Sequence, residues 1–501
     1  MTRENGEIFY HGLIGCDSAE TSAESEILLP DYYPPVLKLV RTDAIAHVRS
    51  ESIRGDRIYV EGTVEFRILY ISETDENFQS VFYPVPFSYS SEIKGEINDD
   101  IQLHTHARPS YVNVRALSPQ KLYAKAVVEL TICMVAPVRT RLLDPETLPD
   151  LIKRTEQRQI SDLTFSTQKI LKIQEEIDPG SGLNPAHILR YDTFFEEDEK
   201  KLINNKMIVK SEWNVQILFT EAQNPEIHTA TAKIPLSQVL ELPDGTTDAG
   251  SSVFFAVQDC KFSIKEKAQA GAVLVCEAEI SVVAECRNDE DVSILTDAYS
   301  VSADASCETE TVTLLHAQDF SLPFSVEQNF DLEDAQAVLE VIPSCTHTCP
   351  CLEGSNAVTE TEISCLILYR SFSGELMTCE KKLALALSVP EIGNADAVKT
   401  DAEITLRSAE YSLNGRSLSI RVSGLYHGML TSEQKVLAVR SVSLSERKKD
   451  RTSGVVICYA TDGEPVWDIA KHYAADPEQI RKQNTLMGET VEGNRILFIE
   501  R

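Results

Sequence analysis

Apolar and polar residues alternate along most of this chain. In IYVEGTVEFRILY (58–70), Ile58, Val60, Gly62, Val64, Phe66 and Ile68 fall on one parity, and Tyr59, Glu61, Thr63, Glu65 and Arg67 on the other. A period of two residues marks a strand with one face on a core and one in water. The same pattern returns in MIVKSEWNVQILF (207–219) and AVTETEISCLILY (357–369), aligned without gaps, so the chain repeats with a period of about 150 residues. A second strand block follows each first one: KLYAKAVVELTICM (121–134), AVLVCEAEISVVAE (272–285) and RSLSIRVSGLYHGM (416–429). Short β-like runs lie upstream, VLKLV (36–40), KILKI (169–173) and AVLEVI (337–342). VPFSYSSEI (85–93) resembles LPFSVEQNF (322–330), which suggests a sub-period inside the repeat. Asn414-Gly415 and Asp244-Gly245 are hairpin turn signals.

Helical periodicity is scarce before residue 450. DPETLPDLIKRTEQRQI (144–160) reads as a connector helix, and EEDEKKLINN (196–205) as a helical turn or a solvated loop. The expected fold class is mainly β: tandem antiparallel β-rich repeats followed by a small βααβ domain. The expected divisions are an N-terminal extension (1–24), repeats at 25–140, 155–290 and 300–445, a basic linker (445–454, SERKKDRTSG) and a tail (455–501). The linker reads as a solvated hinge, with a docking patch for an acidic partner as the alternative.

The tail changes period. VVICYA (455–460) is β-like, and Val466, Ile469, Ala470 and Tyr473 then recur at helical spacing after Pro465, which is expected in the helix's first turn. Asp476 and Pro477 open a second helix that turns Ile480 inward, and ILFIE (496–500) closes the unit.

With 78 acidic and 47 basic residues among 501, the formal net charge is -31, which disfavours nucleic acid and anionic lipid as partners. A 43% hydrophobic and 25% charged composition is that of a globular protein. No run of about 18 apolar residues is present, so no integral membrane segment is expected, and the first residues do not read as a secretory signal. These features imply a cytoplasmic location. The twelve cysteines lack a framework spacing. Cys345, His347, Cys349 and Cys351 form the densest heteroatom cluster, open to three readings: zinc, cross-linking, or an ordinary loop. The spacing is not that of paired zinc knuckles, so no metal or cofactor is assigned. His104 and His106 read as surface or turn residues. Without a nucleophile elbow, phosphate loop or dinucleotide fingerprint, no catalytic residue is assigned and no enzyme is expected.

VICYATDGEPVWDIAKHY, with Gly463-Glu464 and Trp467-Asp468-Ile469-Ala470, Asn484 after the second helix, and Gly493 before ILFI, resembles a LysM module. That resemblance implies N-acetylglucosamine glycan binding by the loops after the first strand and before the last. They map to Gly463, Glu464, Pro465 and Val466, and to Asn484, Thr485, Leu486 and Met487, with Trp467 either a packing or a contact residue. The family commonly has Gly-Asp-Thr where this chain has Gly463-Glu464-Pro465, which removes a hydroxyl and a backbone donor. The loss of donors shifts the expected ligand from sugar toward protein.

Tandem β-rich repeats followed by such a tail resemble the SPOCS-domain spore coat proteins of spore-forming Firmicutes, SipL-like in architecture with SpoVID as the bacillar counterpart. The resemblance implies a coat morphogenetic scaffold made in the mother-cell cytoplasm and recruited to the forespore surface. Its partners would be stage IV sporulation protein A, the coat's basement-layer ATPase, and other coat proteins. Peptidoglycan is the alternative ligand, as for a wall-associated protein.

Overall fold

The computed structural model describes residues 2–4, 7–74, 76–93, 101–148, 150–221, 226–242, 251–267, 271–346, 351–353, 356–389, 397–446 and 454–500. After a short β1 (Thr2–Glu4), the first repeat comprises β2 (Glu7–Leu28), β3 (Val36–Arg54), β4 (Arg57–Ser72), β5 (Phe78–Glu92), β6 (Gln102–Ser118) and β7 (Lys121–Arg141). The second has β8 (Ile152–Ile177), β9 (Pro185–Ile203), β10 (Lys206–Glu221), β11 (Ile227–Glu241), β12 (Ser251–Lys267) and β13 (Gly271–Tyr299). The third has β14 (Asp304–Asp331), β15 (Ala335–Thr346), the short β16 (Cys351–Glu353), β17 (Asn356–Ser371), β18 (Leu376–Val389), β19 (Ala397–Asn414) and β20 (Ser417–Ser445). The tail follows as β21 (Val455–Ala460), α1 (Val466–Tyr473), α2 (Pro477–Asn484) and β22 (Arg495–Glu500).

Each repeat is built as two antiparallel sheets. One is a meander, β3-β4-β5, β9-β10-β11 or β15-β17-β18; in the other the last strand lies between its hairpin partner and the repeat's first strand, as β2-β7-β6, β8-β13-β12 and β14-β20-β19. The strands expected at 58–70, 207–219 and 357–369 are the meander centres, and those at 121–134, 272–285 and 416–429 the centres of the other sheets. Alternation places Val60, Val64, Phe66 and Ile68 of β4 against Leu122, Ala124, Ala126 and Val128 of β7, forming the first repeat's core. Equivalent cores fill the second and third repeats.

Several sequence expectations change. From Glu7 onward the expected N-terminal extension is part of the repeat, because β2 runs antiparallel to β7 along Glu7–Leu28. The connector helix reduces to one 3-10 turn, Pro145–Thr147, and β8 begins at Ile152. Pro149 explains the stop: the residue before a proline is pushed from helical backbone, and Leu148 has φ -120° and ψ 68°. Residues 196–205 belong largely to β9 and its turn into β10, and His104 and His106 lie in strand β6 rather than a loop. KILKI falls in β8, so it is equivalent to neither VLKLV in β3 nor AVLEVI in β15. Asn414-Gly415 does turn β19 into β20, with Gly415 at φ 62°. Asp244-Gly245 lies outside the described residues.

The sub-period has a physical form. Gly62 in β4 sits opposite Phe87 in β5, and Gly424 in β20 sits opposite Phe324 in β14. A Cβ on Gly62 would lie 2.3 Å from the Phe87 ring and 2.4 Å from the His47 carbonyl; on Gly424 it would lie 2.6 Å from Phe324 and 2.5 Å from the Thr405 carbonyl. Across each glycine the neighbouring strand bulges, at Arg49 in β3 and Arg407 in β19, and β6, β9 and β12 bulge similarly at Ser110, Asp198 and Gln258. The two sheet types thus share a bulged strand on one side of the central strand, β3 or β9 in the meanders and β6, β12 or β19 in the other sheets, and a bulge re-aims the side chains beside it. Arg49 reaches Asp259 of the second repeat at 3.4 Å, and Arg407 of the third reaches Glu196 of the second at 3.4 Å.

The repeats are not beads on a string. Leu69 and Phe78 of the first, Leu189 and Leu218 of the second, and Ile342, Leu366 and Leu368 of the third form one buried cluster. A second shared cluster joins Ile8 and Tyr10, Ile160, Val292 and Ile294, and Leu314, Val436 and Ala438. Beside the first cluster, Arg190 contacts Asp43 at 2.6 Å and Asp192 at 2.6 Å, while Arg67 contacts Asp43 at 3.0 Å and donates to the Tyr191 carbonyl at 2.8 Å. Arg41 adds a hydrogen bond to Ser344 of the third repeat. Burial alone would raise the Asp43 pKa, but Arg67 and Arg190 reverse this and hold it well below its ordinary 3.8.

Asp43→Ala removes the carboxylate shared by the buried Arg67 and Arg190 guanidinium groups and should cost about 3 kcal/mol, read as a lower midpoint in chemical denaturation. Because the folded-state pKa of Asp43 is depressed, its contribution is complete above about pH 4 and fades below it. Acid sensitivity in that window should therefore be smaller in Asp43→Ala. Gly62→Ala meets a fixed carbonyl and should cost about 1–3 kcal/mol, whereas Gly488→Ala, whose nearest neighbours are 3.9 Å away, should change the melting temperature little. Equal melting temperatures for the two glycine variants would contradict the close-approach account.

Candidate functional site in the C-terminal module

The tail has the βααβ order expected of it. Its core comprises Cys458, Ala460, Val466, Ile469, Ala470, Ile480, Leu497 and Ile499, the inward parity of two strands and the inner faces of two helices. Pro465 is the N-cap of α1, one position earlier than expected, at φ -65° and ψ 130° with no side-chain cap. At α2 the cap-then-proline logic holds: Asp476 Oδ1 accepts from the Glu478 amide at 2.8 Å and Pro477 is the first helical residue.

The candidate residues separate into different roles. Val466 and Leu486 are buried in the core. Asn484 is buried too; its Nδ2 donates to the carbonyls of Ile480 at 2.9 Å and Phe498 at 2.8 Å, and its Oδ1 accepts from the Phe498 amide at 2.7 Å. It therefore holds α2 against the edge of β22. Glu464 accepts from the Thr461 amide at 3.0 Å and closes its own turn, and Gly463 supplies that turn with φ 80°. Thr485 is exposed at φ 53°, and Met487 is 90% exposed.

The first candidate loop is zipped by backbone hydrogen bonds to residues 489–491, beyond the second candidate loop. Gly463 N–H donates to the Val491 carbonyl at 2.8 Å, Val491 N–H to Glu464 at 2.9 Å, and Val466 N–H to Glu489 at 2.8 Å, with Pro465 bridged to Thr490. The Gly463 and Val466 amides of that loop are thus already engaged within the module.

Trp467 faces the repeats. Its Nε1–H donates to Asp297 Oδ2 at 2.9 Å, and its ring meets Tyr299 edge-on at 5.1 Å between centroids. Lys471 Nζ lies 2.7 Å from both Asp297 carboxylate oxygens, and the Tyr299 hydroxyl donates to the Ala475 carbonyl at 2.7 Å. Burial, with Asp476 and Asp297 nearby, pushes the Tyr299 phenol well above its ordinary 10. Neither Asp297 nor Tyr299 was singled out by sequence, since nothing local in LTDAYS (295–300) marks them.

A different surface of the tail is apolar and open. Val455, Ile457 and Tyr459 of β21 are 63%, 66% and 66% exposed, and Ile496 and Phe498 of β22 are 55% and 52% exposed. Ile457 is directly opposite Phe498, and Tyr459 opposite Ile496, so the residues form one contiguous face. No sequence signal separated it from the core, because both parities of VVICYA are apolar.

Elsewhere, His104 of the first repeat lies 3.0 Å from Glu285 of the second, a contact between repeats. Cys345 sits in β15 beside the third core. His347 and Cys349 lie outside the described residues, as does the Cys351 side chain, while among the described residues no cluster has metal-ligating geometry. No helix there is long and apolar enough to cross a membrane.

Two segments, 35–117 and 185–265, match the family model described as SipL, SPOCS domain. Both are similar to that domain. They span β3 through β6 and β9 through β12, the same four strands of successive repeats. β15 to β19 occupy the corresponding places in the third repeat. No curated protein and no solved structure gives a match.

Asn484→Ala would leave the Phe498 N–H without its partner and should destabilise the tail by about 1–3 kcal/mol. In the full chain, hydrogen exchange should accelerate in α2 and β22 while the amides of β4 and β10 keep their protection. Unchanged exchange in α2 and β22 would contradict the assigned role.

Proposed function

We propose that this protein is a non-enzymatic spore coat scaffold whose C-terminal module, LysM-like in its βααβ order, docks a protein partner, with stage IV sporulation protein A the leading candidate. The SPOCS-domain matches support a sporulation role. The observation that carries the docking claim is the open apolar face of Val455, Ile457, Tyr459, Ile496 and Phe498. Contiguous exposed apolar residues on a small module mark a protein-binding surface, whereas a loop whose Gly463 and Val466 amides are already bonded to residues 489–491 leaves fewer donors for N-acetylglucosamine. Three fused repeats supply a broad body, and a linked module raises the effective concentration of weak contacts. In this reading the protein works at the forespore surface, among other coat proteins.

Co-precipitation tests it. The full chain should capture stage IV sporulation protein A, and Ile457→Glu/Phe498→Glu should reduce capture about 10-fold or more, since two central apolar anchors are replaced by charge. Tight retention on purified peptidoglycan with no capture of the ATPase would instead favour the glycan reading and overturn this one.

A further inference from the structure

The contact between α1 and the second repeat has the form of a recognition site holding a ligand. One carboxylate, Asp297, accepts from an indole N–H and an ammonium together, while two residues on Tyr299 places its ring against Trp467 and its hydroxyl on the Ala475 carbonyl. Tyr299 is 4% exposed and belongs to the tail's own hydrophobic cluster. Strand parity explains the spacing: residues 297 and 299 share a face at the end of β13, so an extended Asp-x-Tyr segment presents both groups to α1.

We infer that α1 and the turn after it, through Trp467, Lys471 and the Ala475 carbonyl, form a binding site for an extended acidic-x-aromatic peptide segment, filled here in cis by Asp297–Tyr299. This rests on the reading of the tail as a recognition module and adds a second surface to it, on a different side from the apolar sheet face. The ionic part of the contact is the exchangeable one. Asp297 is 25% and Lys471 44% exposed, so their ion pair is reached by solvent and weakened by salt.

Topology keeps the cis segment close. Ser445, the last residue of β20, pairs with Asp304, which lies five residues beyond Tyr299, so the linker leaves the body beside the dock. A short tether of this kind gives an effective concentration of order 1 mM. A trans segment must overcome that competition.

The test uses the full chain and a fluorescent peptide with the sequence of residues 294–302, ILTDAYSVS. Asp297→Ala/Tyr299→Phe should bind it at least about 10-fold more tightly than the unaltered chain, and the same peptide with alanine in place of its aspartate should bind neither. Asp297→Asn, which keeps an acceptor but loses the charge, should bind to an intermediate degree. Acrylamide quenching of tryptophan should increase in the double variant, reporting release of Trp467, because Trp213 is fully buried. Equal peptide affinity for variant and unaltered chain, or no rise in quenching, overturns the inference. Capture of stage IV sporulation protein A is scored on the same samples. Peptide binding without ATPase capture counts against the proposed function alone, and capture without peptide binding against this inference alone.

Discussion

A three-stranded antiparallel sheet with one apolar face must bury that face against another element. Every level of this architecture answers that constraint. Within a repeat, the meander covers the second sheet, so β4 and β7 supply facing rows of buried side chains. Between repeats, the residual apolar surfaces meet in two clusters to which all three contribute. Bulges and the glycines opposite them then set the curvature that brings Arg49 to Asp259 and Arg407 to Glu196. Buried charge occurs at the junction only because Arg67, Arg190, Asp43 and Asp192 satisfy one another.

Much of this was legible in the sequence for a simple reason: central strands are half-buried along their whole length, so their parity is clean. IYVEGTVEFRILY and its two copies show it. First strands are harder to read. β2 places Ala19, Ala23 and Ile27 on its inner parity among serines, threonines and glutamates, and such small residues give little contrast. At 144–160 a charged stretch with helix-forming residues read as a helix, and Pro149 together with pairing to β13 decided otherwise. Tertiary pairing overrode local propensity there.

The tail shows the same boundary between what is local and what is not. Its caps and apolar stripe are written in neighbouring residues, and they were read correctly apart from the one-position shift of Pro465. What its surface residues touch is not. Trp467 could be recognised as a candidate, but its partner Asp297 lies 170 residues upstream. Val466, Leu486 and Asn484, placed in candidate binding loops by resemblance, serve the module's core and its strand edge. The open sheet face was hidden because an apolar residue on either parity looks alike in sequence.

Three repeats that share two buried clusters form one cooperative body, a rigid base against which the C-terminal module is held. Calorimetric unfolding of the full chain tests this cooperativity most directly, by comparing the calorimetric enthalpy with the van't Hoff enthalpy. The repeats should unfold in one dominant transition with a ratio near 1. Three separable transitions of similar enthalpy would contradict it, since repeats that unfold independently cannot depend on shared cores.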